Sequence, residues 1–372
     1  MADFFFYGTL CHAPLLDLVL GRRAVMQTAH LPNHAVYWAK DGAFPLIVEQ
    51  AGGRADGLLL TGLTEAEAAR LDYYEGGFGY LTQDVPVQTA AGPVVARVYI
   101  PTAGTWLPGA TWSLADWVAR YGAAAVATAG DFMALMGTHP AEAVAARYGA
   151  MLVRGGSRVR AATPSPSTVR RKAGADDLVV ARRDLAYAKF FAVEDWRVGW
   201  RQFDGSMGAP VDRAVFVSGD AVTVLPYDPV RDRVLLIEQF RPGPMARGDA
   251  AAWQLEAIAG RIDPGETPEE AGRREAVEEA GLTLGALLPV AEYYPSPGAM
   301  TEYLYSYVGV ADLPEGAAGI FGEAEEAEDI RGHLITFDRL MELVSSGEVA
   351  NAPLILTALW LQRERARLRA GG

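Results

Sequence analysis

Between Gly260 and Leu282 the chain reads GRIDPGETPEEAGRREAVEEAGL, and its carboxylates are spaced for cation chemistry. Glu275, Glu278 and Glu279 stand at i, i+3 and i+4, so a helix presents all three on one face. Like charges at that spacing cost a few tenths of a kcal/mol per exposed pair, and more where water is excluded. Arg274 can offset one of them, and a hard divalent cation with oxygen ligands would relieve the rest. Glu266 precedes the helix across a Gly-containing loop that can fold back to the same face. Local signals delimit this helix well. Thr267 is an N-cap, Pro268 takes the first helical position, Glu270 closes a capping box, and Gly281 supplies a left-handed stop.

The elements around this segment fall into two textures. Residues 4 to about 101 are short apolar runs with turn residues between them (FFFYGTL, AVYW, FPLIVEQ, ADGLLLTGL, VPVQT, VVARVYIP), which predicts a mostly β unit. One helix interrupts it, from Thr64 through Leu71, opened by a Thr64/Glu67 capping box. Ala-rich helical sequence runs from Trp112 to Val153. From about Leu178 strands return (RAVFV, AVTVLPYD, RVLLIEQF, WQLEAIAG), then the helix at 267–280, further strands, and closing helices near Asp338–Val344 and Pro353–Arg369. The expected fold is α+β in two domains, 1–153 and 178–372, the first mostly β with helices and the second with strands and helices alternating around a mixed sheet. Residues 154–177, basic and with TPSPST at their centre, read as an interdomain linker rather than a phosphate-binding strap.

Bulk properties narrow the function classes. With 372 residues, 50% hydrophobic and 21% charged, the chain can bury real cores. A formal charge of −13 argues against general affinity for nucleic acid or an anionic membrane. The N-terminus MADFFFYGTL has no basic region of a secretory signal, and Cys11 alone makes neither an internal disulfide nor a zinc cluster, so the expected setting is cytoplasmic. The five histidines show no ligand-like spacing.

The whole of residues 260–282 fits G-x5-E-x7-R-E-U-x-E-E-x-G-U, with Ala276 and Leu282 at the apolar positions, and resembles the complete box of the Nudix hydrolases. The resemblance implies a Nudix fold, an α/β/α sandwich with a mixed sheet, that hydrolyses a nucleoside diphosphate linked to another moiety. It also implies magnesium, or manganese in its place, which polarises phosphoryl oxygens and neutralises developing charge. Carried onto this chain, Glu275 and Glu279 become metal ligands together with the carbonyl of Ala259. Glu278 becomes either a further ligand or a water-positioning group.

Outside the box, the stretches KFFAVEDWRV, DRAVFVSGDAVTVLPYDPVRDRVLLIEQFR, YYPSPGAMTE, EEAEDIRGH and EVANAPLILTALWLQ resemble the bacterial ADP-ribose pyrophosphatase branch, from about Asp184 to Leu368. That likeness implies cleavage of ADP-ribose to AMP and ribose 5-phosphate. It places the base at Phe190 and Phe191, polar clamps at Arg213 and Arg241, and further substrate contacts at Ser296, Gly298 and Glu302. It implies a homodimer in which the Phe190 pair comes from the partner subunit. The acidic run EAEEAED at 323–329, on composition alone a solvated loop, takes the place of the branch's catalytic loop, with Glu326 as base and Glu328 as metal ligand. Ala299 and Met300 after the Ser-Pro-Gly and Ala214 after the arginine depart from the branch, so GDP-mannose and other nucleoside diphosphate sugars stay open as substrates.

The N-terminal motifs Tyr7-Gly8-Thr9-Leu10, FPL at 44–46, ADGLLL at 55–60 and LDYYEG at 71–76 together resemble the gamma-glutamylcyclotransferase-like family across roughly residues 3–120. The resemblance implies a β-barrel with helices whose site holds substrate on the backbone of Tyr7, Gly8, Thr9 and Leu10, with Glu75 as proton shuttle in closing 5-oxoproline. Glu75 would need a pKa raised by burial to work near neutrality. A cyclotransferase or ligand-binding role for this barrel as the main function is a competing reading, as is a non-catalytic ADP-ribose sensor. The intact box glutamates and the acidic balance speak against the sensor.

Overall fold

The side-chain alternation of the first strand decides the architecture of the first unit. In a computed structural model that describes residues 1–102, 104–322 and 328–371, Phe5 joins one apolar cluster while Phe4 and Phe6 join another. The chain divides into two compact units, Met1–Pro166 and Ser167–Gly372.

The first unit runs β1 (Ala2–Phe6), α1 (Ala13–Leu20), β2 (Gln27–Ala39), β3 (Pro45–Leu63), α2 (Glu65–Gly76), β4 (Tyr80–Thr89), β5 (Gly92–Pro101) and β6 (Pro108–Thr111), then α3 (Leu114–Trp117), α4 (Ala123–Ala134), α5 (Ala141–Ala145) and α6 (Tyr148–Ala161). Its sheet has the order β3-β1-β5-β4-β2-β6, and an additional β2–β3 pairing closes β1 to β5 into a barrel. Phe5, Leu31, Ile47, Leu59, Val87 and Val98 fill one cluster, to which every barrel strand contributes. Phe4 and Phe6 instead pack with Leu15 and Leu16 of α1, Leu71 of α2 and Phe132 of α4. The Thr64/Glu67 capping box forms as expected. The helix it opens continues past Leu71 to Gly76, so Glu75 rides on its last turn.

The expected linker needs correction at its start. Helix α6 runs to Ala161, and Arg154, Gly155, Gly156 and Ser157 are buried on it. Thr128 and the backbone of Ala124 sit against Gly155, leaving no room for a Cβ. Residues 162–174 contain only turns, bends and irregular chain.

The second unit comprises β7 (Leu178–Ala188), β8 (Ala192–Trp200), β9 (Val211–Val217), β10 (Ala221–Asp228), β11 (Arg233–Phe240), α7 (Pro242–Arg247), β12 (Trp253–Glu256), β13 (Ile258–Arg261) and α8 (Pro268–Ala280), followed by β14 (Leu287–Tyr293), β15 (Leu304–Val310), β16 (Ile320–Phe321), β17 (Ile330–Thr336), α9 (Phe337–Ser346) and α10 (Ala352–Ala370). Strands β7, β8 and β9 form a small antiparallel sheet. The larger sheet has the order β14-β15-β10-β11-β17-β16, with β12 on β11 and β13 on β10. It is mixed, since β10 pairs parallel with β15 and antiparallel with β11 and β13. Val222, Val224, Leu235 and Ile237 face Ala271 and Ala276 of α8, whereas Leu225, Tyr227, Val234 and Leu236 face Phe337 and Leu340 of α9 and Leu354 and Leu361 of α10. The period-2 alternation of β10 and β11 thus buries both faces and makes the expected helix–sheet–helix sandwich. Among the described residues no helix is long and apolar enough to cross a membrane.

Candidate functional sites

Helix α8 begins and ends where its local signals placed it. The Thr267 side chain accepts from the Glu270 N–H, the Glu270 carboxylate accepts from the Thr267 N–H at 2.8 Å, and Gly281 closes the helix at φ 61°. The carboxylates on its inner face do not repel one another freely, because Arg274 bridges three of them. Its guanidinium donates to both oxygens of Glu266 at 2.9 and 3.0 Å, to Glu275 at 2.8 Å and to Glu278 at 2.8 Å. A further bond from Arg274 to the Arg261 carbonyl, at 3.0 Å, ties the cluster to β13. Glu266 has therefore folded back to the helix face.

Glu279 lies deepest, only 2% exposed, and accepts a 2.9 Å bond from the N–H of Ala259. Burial pushes its carboxyl up to about 8, against the Ala259 N–H; the charges of Glu275 and Glu328 push in the same direction as burial. Burial likewise pushes Glu275 up to about 7, opposed by Arg274 and reinforced by Glu278 and Glu328. The Glu275 carboxylate lies where a Cβ on residue 260 would stand, so only glycine leaves it room. Buried oxygen donors with excess negative charge suit a hard divalent cation. Among the described residues no three acidic, histidine or cysteine side chains are yet grouped to hold an ion. Arg274 engages Glu275 and Glu278, so a cation would compete with it for them.

Arg241 reaches this cluster. It is held by Glu256, itself buried, through bonds of 3.1 and 2.7 Å, and Glu279 and Glu328 raise its pKa further, against the cost of burial. Glu302 faces Arg241 and Asp220, and burial raises its carboxyl. Ser296 and Gly298 lie in a turn closed by bonds from the Ala299 and Met300 N–H groups to the Ser296 carbonyl. That turn is stitched to β9, with the Phe216 N–H donating to the Ala299 carbonyl at 2.9 Å. Glu326 lies outside the described residues.

Phe190 and Phe191 meet edge to face at 4.7 Å, Phe191 packs on Phe216 at 4.8 Å, and the Arg261 guanidinium stands 3.5 Å over the Phe190 ring. The aromatic pair thus sits beside the box of its own chain, because Phe216 joins the β7–β8 turn to the turn at 296–300. Arg213 is not brought to the glutamates. It lies opposite Trp196 on β8 and stacks on Trp200 at 5.5 Å, further along the small sheet from Phe216.

Gln239 was missed by sequence reasoning. It is 7% exposed, shares the strand face of Ile237 and Arg241, and its Nε2 has no hydrogen-bond partner. An unpaired buried amide costs roughly 1–3 kcal/mol, which a polar ligand at that face would recover. The available signal was a polar residue inside the apolar run VLLIEQF, two positions before Arg241.

In the first unit, Tyr7 follows β1 and its hydroxyl donates to the Tyr99 carbonyl at 2.8 Å. Gly8 has no room for a Cβ because the Pro45 ring fills that space, and Thr9–Cys11 form one 3-10 turn. Glu75 sits among tyrosines. Its charge raises the pKa of Tyr7, Tyr74, Tyr80, Tyr99 and Tyr148, in each case after burial as the larger cause. Burial alone pushes the Glu75 carboxyl up to about 7, as its expected role requires.

A glutamate-lined helix packed on one face of a mixed sheet that lies between helices defines a Nudix-type hydrolase in the second unit. The sequence profile of the family described as "NUDIX domain" matches residues 217–355, and that described as "Gamma-glutamyl cyclotransferase, AIG2-like" matches residues 4–118. An ADP-ribose pyrophosphatase of Escherichia coli K12 is 38% identical over 196 residues, covering 53% of this chain and 93% of the relative. One from Haemophilus influenzae is 32% identical, covering 52% and 89%. A GDP-mannose pyrophosphatase of Salmonella choleraesuis is 33% identical, covering 40% and 77%. The chain belongs to the Nudix hydrolase family and carries an AIG2-like domain before it.

Proposed function

We propose that the second unit hydrolyses the diphosphate of ADP-ribose, giving AMP and ribose 5-phosphate, with magnesium as its ion and manganese as a substitute. A water oxygen joins one phosphorus, the bridging P–O bond breaks, and the two phosphomonoesters leave. The observation that carries this reading is the complete carboxylate set of Glu275, Glu278 and Glu279, the first two half-buried and the last buried, with Arg241 facing Glu279. Glu275, Glu279, Glu328 and the Ala259 carbonyl would hold the ion, which polarises the phosphoryl oxygens and neutralises charge when bound. Arg241, fixed by Glu256, offers a guanidinium to a phosphate, which matches its paired donors. Phe190, Phe191 and Phe216 offer ring faces to the adenine. Glu278 orients water through its partnership with Arg274, and Glu326 accepts the water proton.

The test is steady-state hydrolysis of ADP-ribose, GDP-mannose, NADH and ADP-glucose, with magnesium and with chelator. A kcat/KM favouring ADP-ribose and abolished by chelator is expected. Metal-dependent turnover peaking on GDP-mannose would leave the chemistry in place and reassign the substrate to the pocket reshaped by Ala214, Ala299 and Met300.

The second unit forms a homodimer in this reading. Supporting it, β7 is exposed along nearly its whole length and leaves Val179, Val180, Leu185 and Tyr187 in solvent. Light scattering at micromolar concentration reads the mass directly. With a single, half-buried cysteine, the protein is assigned to the cytoplasm in this reading.

The first unit is read as a γ-glutamyl cyclotransferase. The substrate's α-amine gives a proton to Glu75 and attacks its own γ-carbonyl carbon. The amide C–N bond then breaks, and Glu75 returns the proton to the departing amine, leaving 5-oxoproline. The raised carboxyl of Glu75 beside the Tyr7–Leu10 turn supports this role.

A further inference from the structure

Three aromatic rings stand in a row leading away from Glu75. Tyr80 feels the Glu75 charge, its ring lies 5.6 Å from Trp106, and Trp106 meets Phe44 edge to face at 5.1 Å. All three are half-buried, so each keeps part of its surface open to a ligand. Both ends of the row are fixed beside the substrate turn through Pro45. Phe44 precedes Pro45, whose ring fills the space beside Gly8, and the Tyr80 hydroxyl donates to the Pro45 carbonyl at 3.4 Å. Lys40 and Asp41, the charged residues of the hairpin that carries Phe44, are exposed.

Cyclisation consumes only the γ-glutamyl half of a substrate, and that half is accounted for by the turn and by Glu75. Whatever lies beyond the scissile amide leaves as a free amine. A wall of adjoining rings recognises flat or bulky apolar groups through burial and edge-to-face contact, and offers little to glycine or to a charged chain.

We propose that Phe44, Trp106 and Tyr80 bind the side chain of the leaving amine, so that the first unit prefers γ-glutamyl amides of amines bearing an aromatic or large apolar side chain. This rests on the assignment of Glu75 as proton shuttle. The experiment measures 5-oxoproline release by the full chain from γ-glutamyl-phenylalanine, γ-glutamyl-leucine and γ-glutamyl-glycine. A kcat/KM at least about tenfold higher for the first two than for the glycine compound is expected. In Trp106→Ala, and in Trp106→Leu should the first variant fold poorly, the phenylalanine-to-glycine ratio should fall to within about threefold. Equal release from all three by the wild-type chain would overturn the preference while retaining Glu75. Release from none would remove the Glu75 assignment, and the preference with it. A ratio unchanged in both Trp106 variants would overturn the role of the ring wall alone.

Discussion

The carboxylate of Glu275 occupies the space that a Cβ on Gly260 would need. Strand β13 and helix α8 therefore approach through a contact between one backbone and one carboxylate, which fixes that carboxylate beside Ala259 and Glu279. The clash of a methyl at residue 260 would be with the far end of a flexible side chain, so the fold can yield where the chemistry cannot. Gly260→Ala should keep its melting temperature within a few degrees. It should also raise the magnesium concentration for half-maximal turnover by about tenfold or more, read from metal titration of ADP-ribose hydrolysis.

Glu279→Gln removes a ligand charge but keeps the acceptor for the Ala259 N–H. The amide is nearly isosteric, and a buried carboxyl already pushed to about 8 is no source of stability at neutral pH. Turnover should fall by several orders of magnitude with the far-ultraviolet dichroism and melting curve unchanged. Near-wild-type kcat in this variant would remove Glu279 from the metal site.

Arg274 is the counter-ion of Glu266, Glu275 and Glu278 together. Removing one member of a buried ionic cluster leaves uncompensated charge, at a cost of roughly 3–5 kcal/mol. Arg274→Met should therefore melt well below wild type in chelator, and magnesium should restore more stability to it than to the wild-type chain. Calorimetry with and without magnesium separates the two; an equal metal response in both would contradict the assignment.

What could be read from the sequence divides along a physical line. The span of α8, the face shared by Glu275, Glu278 and Glu279, and the division into a mostly β unit and a mixed α+β unit follow from caps and periodicities that act over a few residues, whereas the barrel and the sandwich were implied by the family resemblances. The Gly260 contact, the three-way engagement of Arg274 and the unpaired amide of Gln239 depend on which strands meet, and no local pattern carries that. The neighbours of Phe190 in its own chain, Arg261 and Phe216, are likewise brought to it only by tertiary pairing. The linker was started too early because six arginines and lysines look solvated in sequence, whereas Arg154 is buried on α6.

Glu75 gives the first unit a pH signature. Its carboxyl titrates near 7 in the folded chain, against about 4.5 in an unfolded one. Between those values the folded state holds more protons than the unfolded state, so stability falls as pH rises through 4.5 to 7 and levels off above. The ionised, buried carboxylate costs on the order of 2 kcal/mol by that point. Glu75→Gln removes the cost, so its melting transition should lie above wild type at pH 8 and coincide with it near pH 4.5. Activity should move the other way. Because the base must be ionised to accept the amine proton, 5-oxoproline release by the wild type should rise with pH through about 7 in kcat/KM, and Glu75→Gln should abolish it. A stability gain that is the same at both pH values would mean that Glu75 is not held protonated by its surroundings.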